Sequence, residues 1–430
     1  MCSISLHEYD HIYRESSHKN HKNSVSDIAF DWLETLILQR KRGEQEFLRH
    51  HHKSLQVRNF VGVLETPCGT IIEILPKTAD TENPEADRAL LLKMLNVVYK
   101  VKPRESTEAS LETRQGSLLE ILIARFLQEV SRIVHRGIRS DYVRIKEEAA
   151  FIKGRLRIAQ QIRQPISRQH YFQIEYDKFL PDRAENRLIK AALRVVGKSS
   201  QQMENQRLAR ELLFVFDAIP CSTQINRDFS RWSTQRDMVH YRPVKPWVEL
   251  ILMRETPWFL QGKWQGISLL FPMEKLFESY LEFLLRRQLL PTYELVPQST
   301  LHSLLRHNDK AMFQLKPDMC IRQGRDTKLV LDAKWKRLER DIDKYGLSQG
   351  DFYQMFAYGQ KYLEGVGNML LIYPKTPQFE TTLAPFHYDE KLTVWVVPFC
   401  LERDELLCPD NMLPRFFLST LTLNKGDNRE

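Results

Sequence analysis

An apolar segment that ends in two closely spaced charges constrains the fold of this 430-residue chain more than any other feature. It lies in the stretch LKPDMCIRQGRDTKLVLDAKWKRL, residues 315–338, where KLVLDAKW predicts a buried strand. Side chains alternate faces along a strand, so Asp332 and Lys334 point the same way. Because an unpaired charge at the end of such an apolar strand costs several kcal/mol, these two groups need a partner or a function.

A second acidic residue is expected beside this pair. Residues 324–327, with the sequence GRDT, predict a hairpin turn that pairs a strand ending near Ile321 with a strand starting near Lys328. Asp318 would then lie on the neighbouring strand, close to Asp332. Two such carboxylates repel each other unless a cation lies between them, and hard oxygen ligands suit Mg²⁺. The pattern therefore predicts a magnesium site formed by Asp318 and Asp332.

This arrangement is typical of phosphodiester hydrolysis. A metal ion held by two carboxylates polarises a phosphodiester and lowers the pKa of a bound water. Lys334 beside it would orient that water, help to remove its proton or balance the charge of the transition state. Pro317-Asp318 followed by Asp332-x-Lys334 resembles the pattern of the PD-(D/E)xK nucleases. The alternative is a structural ion pair at a strand end, since a D/E-x-K triplet also recurs by chance.

Two helices near the predicted strands supply further candidate residues. The helix before the sheet offers Glu278, with Glu274 one turn earlier as the second choice. The helix over residues 347–363 offers Gln354 and Tyr358, also one turn apart on one face. These positions favour a site with several polar groups, and the alternative is that Gln354 is a polar surface residue.

The composition limits the classes of protein to which the chain can belong. A formal net charge of +8 and a pI near 9.0 favour a polyanionic partner such as DNA, but they also suit an ordinary basic protein. The six cysteines form no CxxC pair, which argues against a zinc site or a disulfide scaffold. No apolar run resembles a signal core or a membrane span, so a cytoplasmic protein is expected.

The sequence predicts that the chain does not bind a nucleoside triphosphate by itself. The segment VGKSS ends like a P-loop, but Ala192 stands where that motif needs a glycine. A predicted helix, rather than a strand, precedes the segment. Any nucleotide-driven step would therefore need a partner protein.

Three regions are expected along the chain: an N-terminal β-rich domain, a helical middle region and a C-terminal α/β domain with a central sheet. Their bounds are residues 1–105, 106–260 and 261–430. A hairpin over residues 57–64 and 70–75 and a helix over residues 25–38 characterise the first region, and a polar linker at residues 102–116 follows it. Helices of the middle region are predicted at 117–134, 184–196 and 206–216. Strands of the third region are predicted at 293–301, 313–321, 328–335, 369–374 and 392–399.

A basic segment, FIKGRLRIAQQIRQPISRQH, lies between the helices of the middle region. Its spaced basic side chains, above all Lys153, Arg155 and Arg157, can follow the phosphates of DNA. They can equally form a solvated face. Lys336 and Tyr358, near the predicted active site, are the other candidate contacts with DNA.

Several stretches together resemble the McrC family, which supplies the nuclease subunit of McrBC-type modification-dependent restriction systems. The similar stretches follow in family order from about residue 57 to about residue 398. They are VGVLETPCGTIIEILPK, FIKGRLRIAQQIR, FLPDRAENRLIKAAL, LFESYLEFLLRRQL, KPDMCIR, VLDAKW, FYQMFAY and LLIYP. Each stretch alone is unspecific, but their combination is specific.

The resemblance implies a Mg²⁺-dependent endonuclease with a PD-(D/E)xK domain at its C-terminus. Asp318 and Asp332 match the metal-binding acids, Lys334 the catalytic lysine, Glu278 the acid of the preceding helix, and Gln354 the glutamine of the following helix. The family acts with a hexameric AAA+ GTPase that recognises and translocates DNA, often DNA with 5-methylcytosine. The resemblance also implies that the protein restricts double-stranded DNA of phages. The N-terminal region would then be the part that docks on the GTPase partner.

Two other functions stay open at this point. The chain would be a non-cleaving adaptor that activates a ring NTPase if its nuclease site were vestigial. It would be a standalone repair nuclease if it cut DNA without a partner. The sequence leaves the modified base, the cut site, the stoichiometry and the choice between GTP and ATP open.

Overall fold

A mixed α/β architecture is seen in a computed structural model of the protein. The structure describes residues 3–17, 21–38, 46–77, 83–99, 117–252 and 268–408. Within these ranges, no helix has both the length and the apolar character needed to cross a membrane. The predicted linker at residues 102–116 lies outside the described residues, as do the predicted region boundaries at 105/106 and 260/261.

The N-terminal part consists of small sheets and two helices. Its strands are β1 (Ser3–His7), β2 (His11–Arg14), β3 (Ser24–Val25), β4 (Leu48–His51), β5 (Ser54–Val57), β6 (Phe60–Glu65) and β7 (Ile71–Leu75). Its helices are α1 (Asp27–Leu38) and α2 (Pro84–Val98). The predicted hairpin is confirmed, because β6 and β7 pair in antiparallel register. The helix predicted over residues 25–38 is confirmed as α1.

Both faces of the β6–β7 hairpin are buried, so it holds two parts of the molecule together. Val61 and Val63 on one face belong to a core that extends to the helices of the middle region. Phe60 and Leu64 on the other face belong to a second core beneath α1. A strand of β-branched and aromatic residues without polar alternation suits such a position.

The middle region contains helices and an unpredicted sheet. Its elements are α3 (Leu118–Arg136), β8 (Asp141–Ala149), β9 (Arg155–Leu156), α4 (Ile158–Ile162), β10 (Phe172–Leu180), α5 (Ala184–Ser199), α6 (Met203–Val215), α7 (Ile225–Ser230) and α8 (Lys245–Leu252). The three long helices confirm the predicted ones. The sequence predicted a helical middle region, and the structure adds to its helices an antiparallel sheet of β8, β10 and β9 that was not predicted. Both faces of this sheet are largely exposed, and Ile174 is the one buried residue of β8 and β10.

The C-terminal part is built around one sheet. Its elements are β11 (Ser268–Pro272), α9 (Met273–Gln288), β12 (Glu294–Pro297), β13 (Ser303–His307), β14 (Lys310–Gln314), β15 (Met319–Gln323), β16 (Asp326–Ala333), α10 (Gln349–Tyr362), β17 (Gly367–Pro374), β18 (Phe386–His387), β19 (Leu392–Cys400) and β20 (Glu405–Leu406). The order is β12-β15-β16-β17-β19-β18, with β16, β17 and β19 parallel. Helix α10 lies in the connection between β16 and β17, because parallel strands need a long crossover that usually contains a helix.

The hairpin that carries the predicted site is confirmed, with one correction. Strands β15 and β16 pair in antiparallel register around the turn at Gly324 and Arg325. The strand predicted over residues 313–321 is wrong as a single element, because the chain forms β14 and β15 with a break between them. Pro317 lies in this break, where a missing N–H is tolerated. Asp318 therefore precedes β15 instead of lying on it.

The first strand of the C-terminal part belongs to the N-terminal sheet. Strand β11 pairs with β6 and extends the order β1-β7-β6-β11. Helix α9 starts directly after β11, and the Met273 amide donates to the Asn59 carbonyl. This junction places the helix with Glu274 and Glu278 against the N-terminal part.

We predict that Gly62→Ala destabilises this junction more than Gly137→Ala, the matched control. Both glycines have positive φ, 127° and 89°, but an added Cβ at Gly62 would lie 1.9 Å from the Leu269 carbonyl oxygen, whereas Gly137 faces open space. Strained backbone costs of order 1–3 kcal/mol, and the steric overlap at Gly62 adds to it. The apparent melting temperatures of the two variants measure the difference. Equal losses would contradict the account of the junction.

Candidate active site

A cleft of about 570 Å³ lies where α9, the β15–β16 hairpin and the start of α10 meet the N-terminal sheet. It is lined by Tyr9, Asn59, Glu274, Lys275, Glu278, Asp318, Ala333, Lys334, Trp335, Lys336, Ser348 and Asp351. The predicted residues Asp318, Lys334, Glu278 and Lys336 therefore share one cleft. Asp332 lies directly behind it, with only 1% of the residue exposed.

The two predicted metal-binding acids meet at the end of β16. A carboxylate oxygen of Asp318, Oδ2, accepts a hydrogen bond of 2.8 Å from the Ala333 amide. The other acid, Asp332, forms an ion pair with Lys334, with 2.5 Å between Oδ2 and Nζ. Asp332 Oδ1 is buried and has no hydrogen-bond partner among the described residues. An unpaired buried oxygen of this kind is unfavourable for the isolated fold.

Burial and like charge together disfavour ionisation of the acids. Burial, then the charges of Asp332 and Glu278, raises the pKa of Asp318 to about 8. Burial also raises the pKa of Asp332, against the opposing effect of the Lys334 ammonium. At Lys334 burial opposes the charged form, but Asp332, Asp318 and Asp351 together outweigh it and raise the pKa of the lysine. Lys334 is therefore a cation at neutral pH. Its single positive charge is not enough to balance two ionised acids beside it.

A chain of hydrogen bonds holds the Lys334 side chain. Its Nζ donates to Gln354 Oε1 over 3.2 Å. The Gln354 amide in turn donates to the Tyr358 hydroxyl over 2.7 Å, and that hydroxyl donates to the Lys316 carbonyl over 3.0 Å. The one-turn spacing of Gln354 and Tyr358 on α10 makes this alignment possible. Gln354 thus holds the lysine directly, and Tyr358 holds Gln354. Tyr358 is 2% exposed, and its hydroxyl is engaged in this chain of hydrogen bonds.

Both glutamates of helix α9 line the cleft. Glu278 Oε1 accepts a 2.9 Å hydrogen bond from Gln298, and burial is the main cause that raises the pKa of Glu278. The backbone N–H of Gln298 donates to the backbone carbonyl of Asp318 over 2.8 Å, so Gln298 connects the segment that carries Asp318 to Glu278. Glu274 accepts from Asn59 Nδ2 over 2.9 Å, so it faces the N-terminal wall.

Of the predicted DNA contacts outside the acid cluster, only Lys336 lines the cleft. Its Nζ donates to the Gly346 carbonyl. Lys153 lies 4.2 Å from the centroid of the Tyr176 ring, and Arg155 starts β9 in the exposed sheet. Arg157 directly precedes α4, the short helix that follows β9 of this sheet. This basic segment contributes no residue to the cleft.

Asp351, Tyr9 and Asn59 are among the cleft residues that the sequence analysis missed. Asp351 lies one turn before Gln354 on α10, and this spacing alone would have identified it. The carboxylate of Asp351 accepts from the Tyr373 hydroxyl over 3.3 Å. Tyr9 and Asn59 come from the N-terminal part, far away in sequence, and no local pattern marks them.

The acid pair fits a hard dication. Within the described ranges, no three His, Cys, Asp or Glu side chains form a ready metal cluster. Mg²⁺ does not require one, since it takes one or two carboxylates and completes its shell with waters and phosphate oxygens. The unpaired Oδ1 of Asp332 and the raised pKa of Asp318 are the features that a cation would relieve. Asp318 and Asp332 are therefore the residues suited to hold it.

Comparison with known proteins places the chain beside restriction components. Residues 55–374 match the family model described as McrBC 5-methylcytosine restriction system component. A chain from the refined half-complex of a tetradecameric assembly of Thermococcus gammatolerans McrB AAA+ hexamers with bound McrC is 21% identical, with a TM-score of 0.65. The alignment covers 93% of this chain and 94% of that chain, which shows a shared fold.

A second solved chain is similar over a shorter range. It comes from the cryo-EM structure of the Thermococcus gammatolerans McrBC complex, is 23% identical and has a TM-score of 0.49. The alignment covers 66% of this chain and 87% of that chain. No curated protein sequence matches the chain.

We predict that Asp318 makes the metal-free fold less stable as pH rises. With a pKa of about 8 in the fold and about 4 when unfolded, the folded state binds the extra proton, so the free energy of unfolding falls between these values. Asp318→Asn removes this part of the pH dependence, whereas Asp326→Asn, in an exposed turn, retains it. Urea midpoints at about pH 5 and about pH 8 in EDTA measure it. An unchanged slope in Asp318→Asn would contradict the account of the acid pair.

Proposed function

The chain belongs to the family of McrBC 5-methylcytosine restriction system components, and we propose that it is the subunit that hydrolyses DNA. The observation that carries this proposal is the convergence of Asp318, Asp332 and Lys334 at one strand end beside an open cleft. The β15–β16 hairpin, the parallel strands after it and the flanking helices suit a PD-(D/E)xK domain. The reaction is Mg²⁺-dependent endonucleolytic cleavage of double-stranded DNA.

Asp318 and Asp332 would hold the magnesium ion, which supplies a polarised phosphate and a more acidic water when bound. The charge of the cation also offsets the mutual repulsion of the two carboxylates. Lys334 has its ammonium 2.5 Å from Asp332 and is partly exposed to the cleft, with 26% of its side chain accessible. It is placed to orient the attacking water and to stabilise the negative charge that develops on the phosphate.

The remaining polar residues position the lysine and shape the cleft. Gln354 and Tyr358 fix the Lys334 ammonium through the chain of hydrogen bonds from α10. A lysine held in this way loses less side-chain freedom in the transition state. Glu278, with its pKa raised by burial, is placed to accept or return a proton at the edge of the cleft.

The motor for this nuclease is proposed to be a separate AAA+ GTPase hexamer. The sequence contains no complete P-loop, and the solved chain with the same fold comes from an assembly of McrB AAA+ hexamers with bound McrC. Recognition of modified DNA and translocation then belong to the partner. The chain docks on the ring and stimulates NTP hydrolysis before it cuts.

The projecting sheet of the middle region supports a docking role. This sheet and the adjoining helix α4 carry exposed apolar side chains beside basic ones, an unusual surface for a monomeric protein. Tyr142 and Phe179 lie on the sheet, Ile158 and Ile162 on α4, and Ile166 shortly after it. Because apolar groups dominate the centre of protein interfaces, this surface suits a protein partner more than DNA alone. Contacts of Lys153, Arg155 and Arg157 with DNA are a second proposal for this surface, and the DNA affinity of the Ile162→Asp variant described below tests it.

Cleavage of methylated plasmid tests the nuclease proposal directly. Wild type and Lys334→Ala are each mixed with Mg²⁺, with and without the partner NTPase and nucleotide. We expect cleavage only in mixtures that contain the partner and nucleotide. In such a mixture, Lys334→Ala should cut more slowly than wild type by roughly 100- to 1,000-fold, the range for loss of one transition-state contact. Equal cleavage by Lys334→Ala would refute the active site.

The same assay separates the two alternative functions. Cleavage without partner and nucleotide would favour a standalone repair nuclease. Stimulated NTP hydrolysis without any cleavage would favour an adaptor with a vestigial site. Unmodified plasmid, run in parallel, shows whether cleavage depends on methylated cytosine.

We predict that Ile162→Asp weakens docking on the partner ring. A charge at the centre of an apolar contact raises the concentration needed for half-maximal stimulation of NTP hydrolysis by about tenfold or more. Phe214→Asp is the matched control, because Phe214 on α6 is 83% exposed and Ile162 is 79% exposed. Equal effects of the two substitutions would contradict this docking surface. If Ile162→Asp lost affinity for DNA but not for the partner, the projecting sheet would be a DNA-binding surface instead.

A further inference from the structure

We propose that Glu8, in the N-terminal part, is a positioning residue of the nuclease site. It holds Trp335, and through Trp335 it holds the end of β16 that carries Asp332 and Lys334. This inference rests on the proposed function for its cleavage readout, but the contacts that carry it are independent of that function. Glu8 lies outside residues 55–374, the part of the chain that the family model matches.

Glu8 is completely buried at the junction of the two parts of the molecule. Its carboxyl oxygen Oε2 accepts a 2.8 Å hydrogen bond from the indole nitrogen of Trp335 and a longer one, 3.4 Å, from the Lys77 amide. The other oxygen, Oε1, has no partner within the described part of the chain. The backbone of Glu8 is fixed as well, because its amide donates to the Leu75 carbonyl over 3.1 Å.

Trp335 is the point at which three elements meet. It follows Lys334 directly, lines the cleft and is 6% exposed. Its ring packs edge to face on Phe277, with 5.3 Å between the ring centroids. Phe277 lies on α9 next to Glu278, so the indole touches the helix that carries the third acid. The Glu8 hydrogen bond sets the remaining rotation of this indole.

The backbone around Lys334 needs such an anchor because β16 has already ended there. The last ladder bond runs from the Lys334 amide to the Ile372 carbonyl over 2.9 Å. Beyond it, the Lys336 amide turns back to the Lys334 carbonyl over 3.1 Å. Lys334 thus lies between a fixed strand and a turn, and the buried Trp335 side chain decides how that turn leaves the sheet. A small displacement of the ammonium would suffice to lose its contact with the reacting phosphate.

The residue after Glu8 makes a parallel connection to the opposite wall of the cleft. The Tyr9 hydroxyl donates to Asn59, and Asn59 donates to Glu274 over 2.9 Å. One short segment after β1 therefore contacts the chain after β16 directly and is linked to α9 through Asn59. This arrangement supports a role in shaping the site and not only in stabilising the N-terminal sheet.

Glu8 acts in this account as a hydrogen-bond acceptor and not as a charge. Burial raises its pKa to about 8, so the carboxyl is largely neutral at neutral pH. Glutamine keeps the shape and an accepting oxygen, and it should replace Glu8 with little loss. Alanine removes the acceptor and leaves the indole N–H buried without a partner.

Glu73 provides a matched control for general destabilisation of the same sheet. It is also a buried carboxylate, on β7, and it bonds to Arg88 over 2.7 Å and to Ser5 over 2.7 Å. It is not among the residues that line the cleft. Glu73→Ala should therefore lower the melting temperature without a selective effect on cleavage.

The experiment uses the full chain with the partner NTPase, nucleotide, Mg²⁺ and methylated DNA. The variants are Glu8→Ala, Glu8→Gln, Trp335→Phe, the double variant Glu8→Ala/Trp335→Phe, and Glu73→Ala. We expect Glu8→Ala to lower kcat roughly 10- to 100-fold with KM for DNA unchanged, as a displaced catalytic group does. Glu8→Gln should stay near wild type, and the double variant should be no slower than the slower single variant. Stimulation of NTP hydrolysis should be unchanged, because Glu8 is buried and away from the projecting sheet.

Hydrogen–deuterium exchange tests the positioning role without reference to cleavage. Amides of residues 332–336 should exchange faster in Glu8→Ala than in wild type, and not in Glu73→Ala or Glu8→Gln. Three results would overturn the proposal: unchanged exchange at these amides, equal loss of kcat in Glu8→Gln and Glu8→Ala, or additive effects in the double variant. If exchange differed between the variants as expected but wild type cut no DNA, the proposed nuclease function would be wrong, whereas the Glu8–Trp335 link would still hold.

Discussion

The burial of two carboxylates against one ammonium is the interaction on which the rest of the structure depends. Asp318 and Asp332 meet at the end of β16, and Lys334 compensates one of them at 2.5 Å while an oxygen of Asp332 stays unpaired among the described residues. Such a group is unfavourable for an isolated fold. The surrounding apolar strands, the hydrogen bonds from α10 and the contacts from the N-terminal sheet hold it in place. This is the arrangement expected where stability is given up for chemistry.

Local sequence patterns were sufficient for the centre of the site. A two-residue side-chain period and the GRDT turn correctly predicted the hairpin and the shared face of Asp332 and Lys334. The one-turn spacing on α10 correctly placed Gln354 beside Tyr358. The break before β15 was missed, because residues 313–316 alternate between apolar and polar side chains and the apolar residues 319–321 follow shortly after Pro317, so the stretch resembles one strand. The projecting sheet was missed although residues 143–146 and 172–177 alternate between apolar and polar side chains, the pattern that would have predicted its two long strands.

Tertiary contacts between distant segments explain what the sequence could not predict. Tyr9 and Asn59 reach the cleft only because β11 joins the N-terminal sheet and starts α9 beside it. Glu8 meets Trp335 for the same reason, across 327 positions of sequence. The N-terminal part is therefore structurally continuous with the cleft. A change in its packing would reach Lys334, the proposed catalytic lysine, through one buried indole.

Binding of Mn²⁺, an oxygen-seeking substitute for Mg²⁺, measured by electron paramagnetic resonance tests the central claim most directly. The metal-free chain is titrated as wild type, as Asp332→Asn and as Asp326→Asn, whose carboxylate lies in an exposed turn. The account predicts a saturable site in wild type and in Asp326→Asn, and its loss in Asp332→Asn. Equal binding by wild type and Asp332→Asn would contradict the claim that the buried acid pair holds the metal.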